Sequence, residues 1–139
     1  MPTSRASYDS AVTMTWDMTG PSSDTNLLIG RESTVVDQGT NDYLAVLVGG
    51  SFTGPSSGAA AGVIEVYAYG TWDDGTTYTS DMTGTDGALT LVAETKQLLQ
   101  LIAVITTNTT NGEIYKWGPF NIASAFGGVV PERWGLWGV

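Results

Sequence analysis

The chain has 139 residues, carries a formal net charge of −9 and contains neither cysteine nor histidine. That length suits one domain that buries a core without covalent staples, and the two missing residue types exclude disulfides, thiolate nucleophiles, Cys-based zinc sites and histidine chemistry. The five basic residues, Arg5, Arg31, Lys96, Lys116 and Arg133, are scattered, so no cationic face for nucleic acid can be assembled, and an anionic membrane surface would repel the protein.

No apolar run approaches the length that spans a bilayer, and the amino end MPTSRASYDS lacks the apolar core of a signal peptide. A soluble protein made in a cytosolic compartment is expected. Eighteen glycines with abundant Thr, Ser and Val are the composition of short strands joined by tight turns.

Residues 1–10 read as a polar arm, with residues 11–139 as a single domain. In Val12, Met14, Trp16 and Met18, apolar side chains alternate with Thr13, Thr15 and Asp17, the pattern of a half-buried strand. Gly20-Pro21-Ser22-Ser23-Asp24 ends it as a turn. Leu27–Ile29 predicts a short strand broken by Gly30 and continued at Thr34–Val36. Tyr43–Val48 is apolar at every position and predicts a strand covered on both faces. Gly49-Gly50 and the stretch Gly54–Gly62 read as flexible loops. Val63–Gly70 alternates cleanly and predicts a central strand, followed by a turn at Asp73-Asp74-Gly75 and a further extended stretch at Ala88–Val92.

Ala93–Ile105 fits a helical face as well as a strand. It runs into the β-branched Val104-Ile105-Thr106-Thr107, so one helical turn over Glu94–Gln97 and a strand over Leu98–Thr106 are expected. The segment NTTNG at 108–112 predicts a hairpin turn into Glu113–Trp117. Asn121 can cap a short helix through Phe126 that stops at Gly127-Gly128, and Arg133–Val139 forms a last strand. The sum is an all-β fold, a β-sandwich or jelly roll with eight or nine short strands and one or two helical turns.

Signals for chemistry are sparse. Asp73 with Asp74, or Asp81 with Asp86, would be the first candidates for a glycosidase acid and base pair, and the segment Asp73–Asp86 for a calcium site. Acidic residues beside Gly and Thr are more often turn formers. There is no EF-hand spacing, P-loop or dinucleotide-binding glycine pattern, so no cofactor, no metal and no enzymatic activity are expected.

The aromatic residues say more. Trp16 has the inward phase of its strand, whereas Trp72 follows a strand beside an acidic turn, as a rim residue does. Trp134 and Trp137 lie an odd number of residues apart and point to opposite faces of the last strand. Either both faces are covered within the chain, or Trp137 and Val139 mark an apolar edge that a neighbour completes. An end with no polar tail fits a terminal segment fixed by a neighbour, or a truncated chain.

Several stretches resemble small virion structural proteins of tailed bacteriophages. They are TSRASYDSA near the start, GREST at Gly30–Thr34, YLAVLVGG at Tyr43–Gly50, GVIEVYAYGTWDD at Gly62–Asp74, TYTSDMTGTDGA at Thr77–Ala88 and, most fully, YKWGPFNIASAFGGVVPERWGLW at Tyr115–Trp137. In such proteins the last of these strands usually continues through an Asn-Thr-Gly turn into another, where this chain stops at Gly138-Val139. The resemblance implies a non-enzymatic particle component, a capsid decoration or cement protein with a jelly-roll-like fold, or a head or tail accessory. It would be assembled in the bacterial host cytoplasm, act as a homo-oligomer and take the major capsid protein or other virion proteins as partners. Its expected contact residues are Ser4, Arg5 and Tyr8 of the arm, Trp72, and Arg133, Trp134, Leu136, Trp137 and Val139 of the terminal strand. The alternative is a tail or fibre module that stacks host-surface carbohydrate on Trp72, Tyr67 or Tyr69, and the weakest rival is a glycan hydrolase using Asp73 and Asp81.

Overall fold

The computed structural model describes residues 10–19, 24–41, 43–71, 73, 75–79 and 81–139. Among these the chain forms β1 (Ile29–Glu32), β2 (Val36–Asp37), β3 (Leu47–Thr53), β4 (Gly62–Gly70), β5 (Gly87–Thr90), β6 (Gln100–Thr107), β7 (Ile114–Asn121) and β8 (Arg133–Gly138). Single helical turns, α1 (Ala93–Lys96) and α2 (Ile122–Ala125), precede β6 and follow β7. The fold is all-β and sandwich-like, and among the described residues no helix is long and apolar enough to cross a membrane.

One sheet has the order β5-β1-β8-β4-β6, with β2 also paired to β8, and β3 and β7 form a separate two-stranded ribbon. Every pairing is antiparallel. The terminal strand is therefore the middle of the large sheet, which corrects the expectation of an open edge there. It pairs with β4 from Val66↔Gly138 to Gly70↔Trp134, and with β1 and β2 on its other side. Glu65 and Val139 exchange both backbone hydrogen bonds, at 2.8 and 3.1 Å, so even the last residue is held in the ladder.

Both faces of that sheet are covered by the chain itself. On one, Val66, Ala68, Ile105, Trp134 and Leu136 meet Ile122 of α2, and the inner side of the ribbon closes over them with Val48, Phe52, Tyr115 and Trp117. Trp16 joins this layer, edge-on to Phe52 at 5.2 Å and to Trp117 at 6.4 Å. On the other face, Tyr67, Tyr69 and Trp137 are covered by Met82, Leu91 and Leu99. Trp134 and Trp137 thus do point oppositely, each into its own core.

The spelling of β8, Arg-Trp-Gly-Leu-Trp-Gly, follows from this double burial. A methyl group at Gly135 would fall on the Tyr69 ring, 2.5 Å from Cζ, and one at Gly138 would fall on Trp16, 2.5 Å from Cζ2. The two glycines leave room for aromatic rings that reach across from β4 and from the amino-terminal segment. Large and small residues interdigitate, as close packing requires.

Local sequence accounts for the smaller elements. Asn121 caps α2 by accepting the Ala123 N–H at 3.1 Å, and Gly127 and Gly128, with φ of 70° and 99°, stop it. The helical turn and strand expected over 94–106 appear as α1 and β6.

Four expectations are corrected. Residues 13–18 keep the alternating exposure of a strand, Val12 is exposed, and the segment forms no ladder. They lie beside 31–34 through isolated bonds, Thr34 N–H to Thr15 O at 2.9 Å and Trp16 Nε1 to Arg31 O at 3.1 Å. Gly30 sits inside β1, where it accommodates Trp137 rather than breaking the strand. Tyr43–Val48 is not covered on both faces: Leu44 is 94% exposed, and the strand begins only at Leu47, taking in Gly49-Gly50. The 108–112 turn carries the chain from the large sheet to the ribbon, so β6 and β7 do not form a hairpin.

The packing of β8 sets a mutational contrast. Gly135→Ala should lower stability by about 1–3 kcal/mol, the usual cost of overpacking. Gly62→Ala, whose new methyl would lie 3.7 Å from the Thr107 hydroxyl, should leave stability within about 0.5 kcal/mol of the parent. Urea unfolding of the two variants beside the parent measures both.

Candidate interaction surface

The structure separates the residues singled out in the sequence. Trp134, Leu136 and Trp137 are 2%, 1% and 0% exposed, which places them in the two cores and away from any surface of the chain. They are corrected from contact residues to core residues, because a strand with neighbours on both sides and layers on both faces presents nothing outward. Arg133 and Val139 keep partial exposure. The Arg133 guanidinium binds Asp37 Oδ2 through Nε at 2.8 Å and Gly75 O through Nη1 at 3.1 Å, tying the start of β8 to β2 and to the 73–75 turn. Ser4, Arg5, Tyr8, Trp72 and Asp74 lie outside the described residues.

The carboxylates proposed for hydrolysis or calcium serve local structure. Asp73 accepts the Gly75 N–H, Asp81 accepts the Thr95 hydroxyl, and Asp86 accepts the Asp17 N–H. Among the described residues no group of three or more acidic side chains is placed to hold a metal ion. The two tyrosines considered for stacking sugar are core residues, Tyr67 at 9% and Tyr69 at 1% exposure, and Lys96 Nζ lies over the Tyr67 ring at 5.1 Å. A carbohydrate platform would rest on Trp72 alone.

Two carboxylates that the sequence did not single out, one buried and one half-buried, lie on the face opposite the ribbon. Glu32, at 1% exposure, ends β1 opposite Trp137. Its carboxylate accepts the Thr83 N–H at 2.9 Å, the Thr83 hydroxyl at 2.9 Å and the Gly84 N–H at 2.6 Å. A φ of 76° at Gly84 aims these groups, and a methyl there would meet the Tyr78 hydroxyl at 2.9 Å. Burial, then the neighbouring Glu32, pushes the Tyr69 phenol far above its ordinary value, so it stays protonated and donates to Ser33 O at 3.3 Å.

Glu65 is the second. Its Oε2 receives Lys96 Nζ at 2.8 Å and the Tyr67 hydroxyl at 2.7 Å, and Lys96 also donates to Leu27 O at 2.8 Å. Burial acts to raise the Glu65 carboxyl, but the hydrogen bonds from Lys96 and Tyr67 outweigh it and hold the group below its ordinary value of 4.5. Burial, then Glu65, raises the Tyr67 phenol. A shallow depression of about 450 Å³ borders this cluster, lined by Asn26, Leu28 and Gln97 among others. Both clusters are held by internal partners, which tie residues 83–84 and Lys96 to the sheet.

Exposed aliphatic side chains are spread over the described residues, and one group of them flanks two strand edges. β6 borders the large sheet and β7 the ribbon, and neither has a strand on its other side among the described residues. Between them runs a groove of about 520 Å³, lined by Val104, Thr106, Ile114 and Lys116 among others. Val63, Leu98, Leu101, Val104 and Ile114 are each 44–58% exposed. Sequence reading passed over these positions because it looked for aromatic anchors; the available signal was the uncharged run LIAVITT at 101–107.

Two outcomes test the clusters. Glu32→Ala strands two backbone donors and the Thr83 hydroxyl, and should cost about 2–4 kcal/mol, with faster amide exchange over 82–85 by hydrogen–deuterium exchange. For Glu65, folding lowers the carboxyl, so its stabilisation is present above the ordinary value of 4.5 and is lost as pH falls through the folded-state value. Glu65→Gln should therefore show a smaller fall in melting temperature than the parent between about pH 7 and about pH 3. The residual fall comes from Asp17, Asp24 and Asp37, which hydrogen bonds from their own turns also hold low.

Comparison with protein-family models, with curated proteins and with solved structures finds no match to the chain.

Proposed function

We propose that this protein is a non-enzymatic structural component of a bacteriophage virion, a capsid decoration or cement protein that stabilises the shell through protein–protein contacts. The observation that carries the reading is the use made of the side chains. Glu32, Glu65, Tyr67 and Tyr69 are committed to internal hydrogen bonds, while a group of exposed aliphatic residues flanks two open strand edges. A surface of that kind suits association, since main-chain groups at an edge add hydrogen bonds to apolar burial. The resemblance of Tyr115–Trp137 and the other stretches to small virion proteins supplies the particle, and a jelly-roll-like connectivity belongs to the same proposal. Repeated by shell symmetry, contacts that are individually weak add to a large total.

In this reading the partners are the major capsid protein and further copies of the chain. The contact regions are the arm with Ser4, Arg5 and Tyr8, the rim around Trp72, the exposed loop Gly54–Gly62, and the open edges in place of the terminal strand. Purified protein mixed with shells that lack it should co-sediment with them at a fixed stoichiometry and raise their disruption temperature. Absence of the protein from purified particles, together with no co-sedimentation, would remove the reading.

A further inference from the structure

We infer that β6 is a self-association edge, through which two copies of this chain pair antiparallel about a two-fold axis and join their large sheets. The main-chain geometry comes first. Because Glu65 and Val139 exchange both backbone bonds, the peptide groups of Glu65 point at β8. Bonding direction alternates along a strand, so those of Ile64 and Val66 point at β6, where their partners are Ile105 and Ala103. The N–H and C=O groups of Val104 and Thr106 are left facing the open side of the sheet.

Edge strands are normally guarded by brevity, charge, proline or irregularity. β5 has only four residues. β3 carries a bulge at Val48/Gly50, and β7 carries Lys116 and the Gly118-Pro119 pair. β6 has eight residues, QLIAVITT, with no charge and no proline. Its own irregularity is confined to Ile102, where Val66 pairs with Ala103 and Tyr67 with Leu101, so Ala103–Thr107 remains a regular, β-branched stretch.

The flanking side chains indicate the occupant. Leu101 lies opposite Tyr67, Val104 opposite Glu65 and Thr106 opposite Val63, and residues directly opposite share a face. Val63, Leu101 and Val104, at 44%, 51% and 55% exposure, therefore form one apolar strip beside the edge. A two-fold axis perpendicular to the sheet keeps that face on the same side in both copies, so the two strips abut. It also sets the outward-facing residues of the two copies opposite one another, so each free donor meets a free acceptor. Charge agrees: a chain of net −9 repels its own copy over most of its surface, but here the strand is neutral and Glu65, opposite Val104, is paired with Lys96. The association does not depend on which larger assembly the protein joins.

A joint of one strand pair and a few aliphatic side chains is small beside the roughly 1,600 Å² of a standard interface, so the dimer is concentration dependent. Light scattering after size exclusion, over a dilution series of the full chain, should give a mass rising from 14.6 kDa to twice that value. Val104→Lys with Thr106→Lys places like charges across the joint and should hold the mass at that of the monomer, with an unchanged circular dichroism spectrum. Val129→Lys, at a residue 69% exposed away from the sheet, should dimerise like the parent. Should the double variant misfold, amide exchange of the parent decides: Val104 and Thr106 should lose protection on dilution while Ile64 and Val66 keep theirs. A parent that stays monomeric throughout, a trimer, a dimer unaffected by the two lysines, or protection insensitive to dilution would each overturn the proposal.

Discussion

The constraint on which the rest depends is that the last strand of the chain lies in the middle of its main sheet. A strand with neighbours on both edges and cores on both faces has no solvent side, so every residue of β8 after Arg133 is apolar or small. Its two tryptophans fill opposite cores, and its two glycines yield space to Tyr69 and Trp16, which reach in from other parts of the chain. The ribbon, α2 and the segment 78–99 all pack against a surface that β8 completes. Pairing Val66–Gly70 with Trp134–Gly138 joins residues far apart in sequence, and such contacts form only after most of the chain has been brought together.

Polar burial follows from the same arrangement. Residues 81–87 of the segment over Tyr69 and Trp137 hold one apolar side chain, Met82, so hydrophobic contact alone does not fix them. Glu32 and Glu65 supply the missing specificity, one through backbone N–H groups of residues 83–84 and the other through Lys96 and Tyr67. A carboxylate taken out of water is tolerable only when it is paired; both Glu32 oxygens and Glu65 Oε2 accept hydrogen bonds. These groups hold a covering layer in register.

With β8 enclosed, association shifts to the strands at the border. The open side of β6 carries main-chain groups and aliphatic side chains without the charge spread over the remaining surface. An acidic protein with neutral edges stays dispersed through long-range repulsion and still pairs where repulsion is absent. That combination suits a component that remains free until its partner surface is present.

Much of this was legible in the sequence. Alternation marked β4, the β-branched run marked β6, and Asn121 with Gly127-Gly128 marked α2 to within a residue, because turns, caps and strand periodicity are local properties. So was the opposite orientation of Trp134 and Trp137. Other features had no local signal. Nothing in Arg133–Val139 distinguishes an edge that awaits a partner from a centre that already has two, since both are apolar. Glu32 in GREST reads as a surface charge until Thr83 and Gly84 arrive from fifty residues away, and the tyrosines of VIEVYAYG read as exposed until Leu91 and Leu99 cover them. The sequence by itself determined the strands, the turns and the acidity, through side-chain period and backbone preference; only the tertiary structure decided which strand is enclosed, which charges are paired and which edge stays open, because strand order depends on contacts between residues distant in the chain.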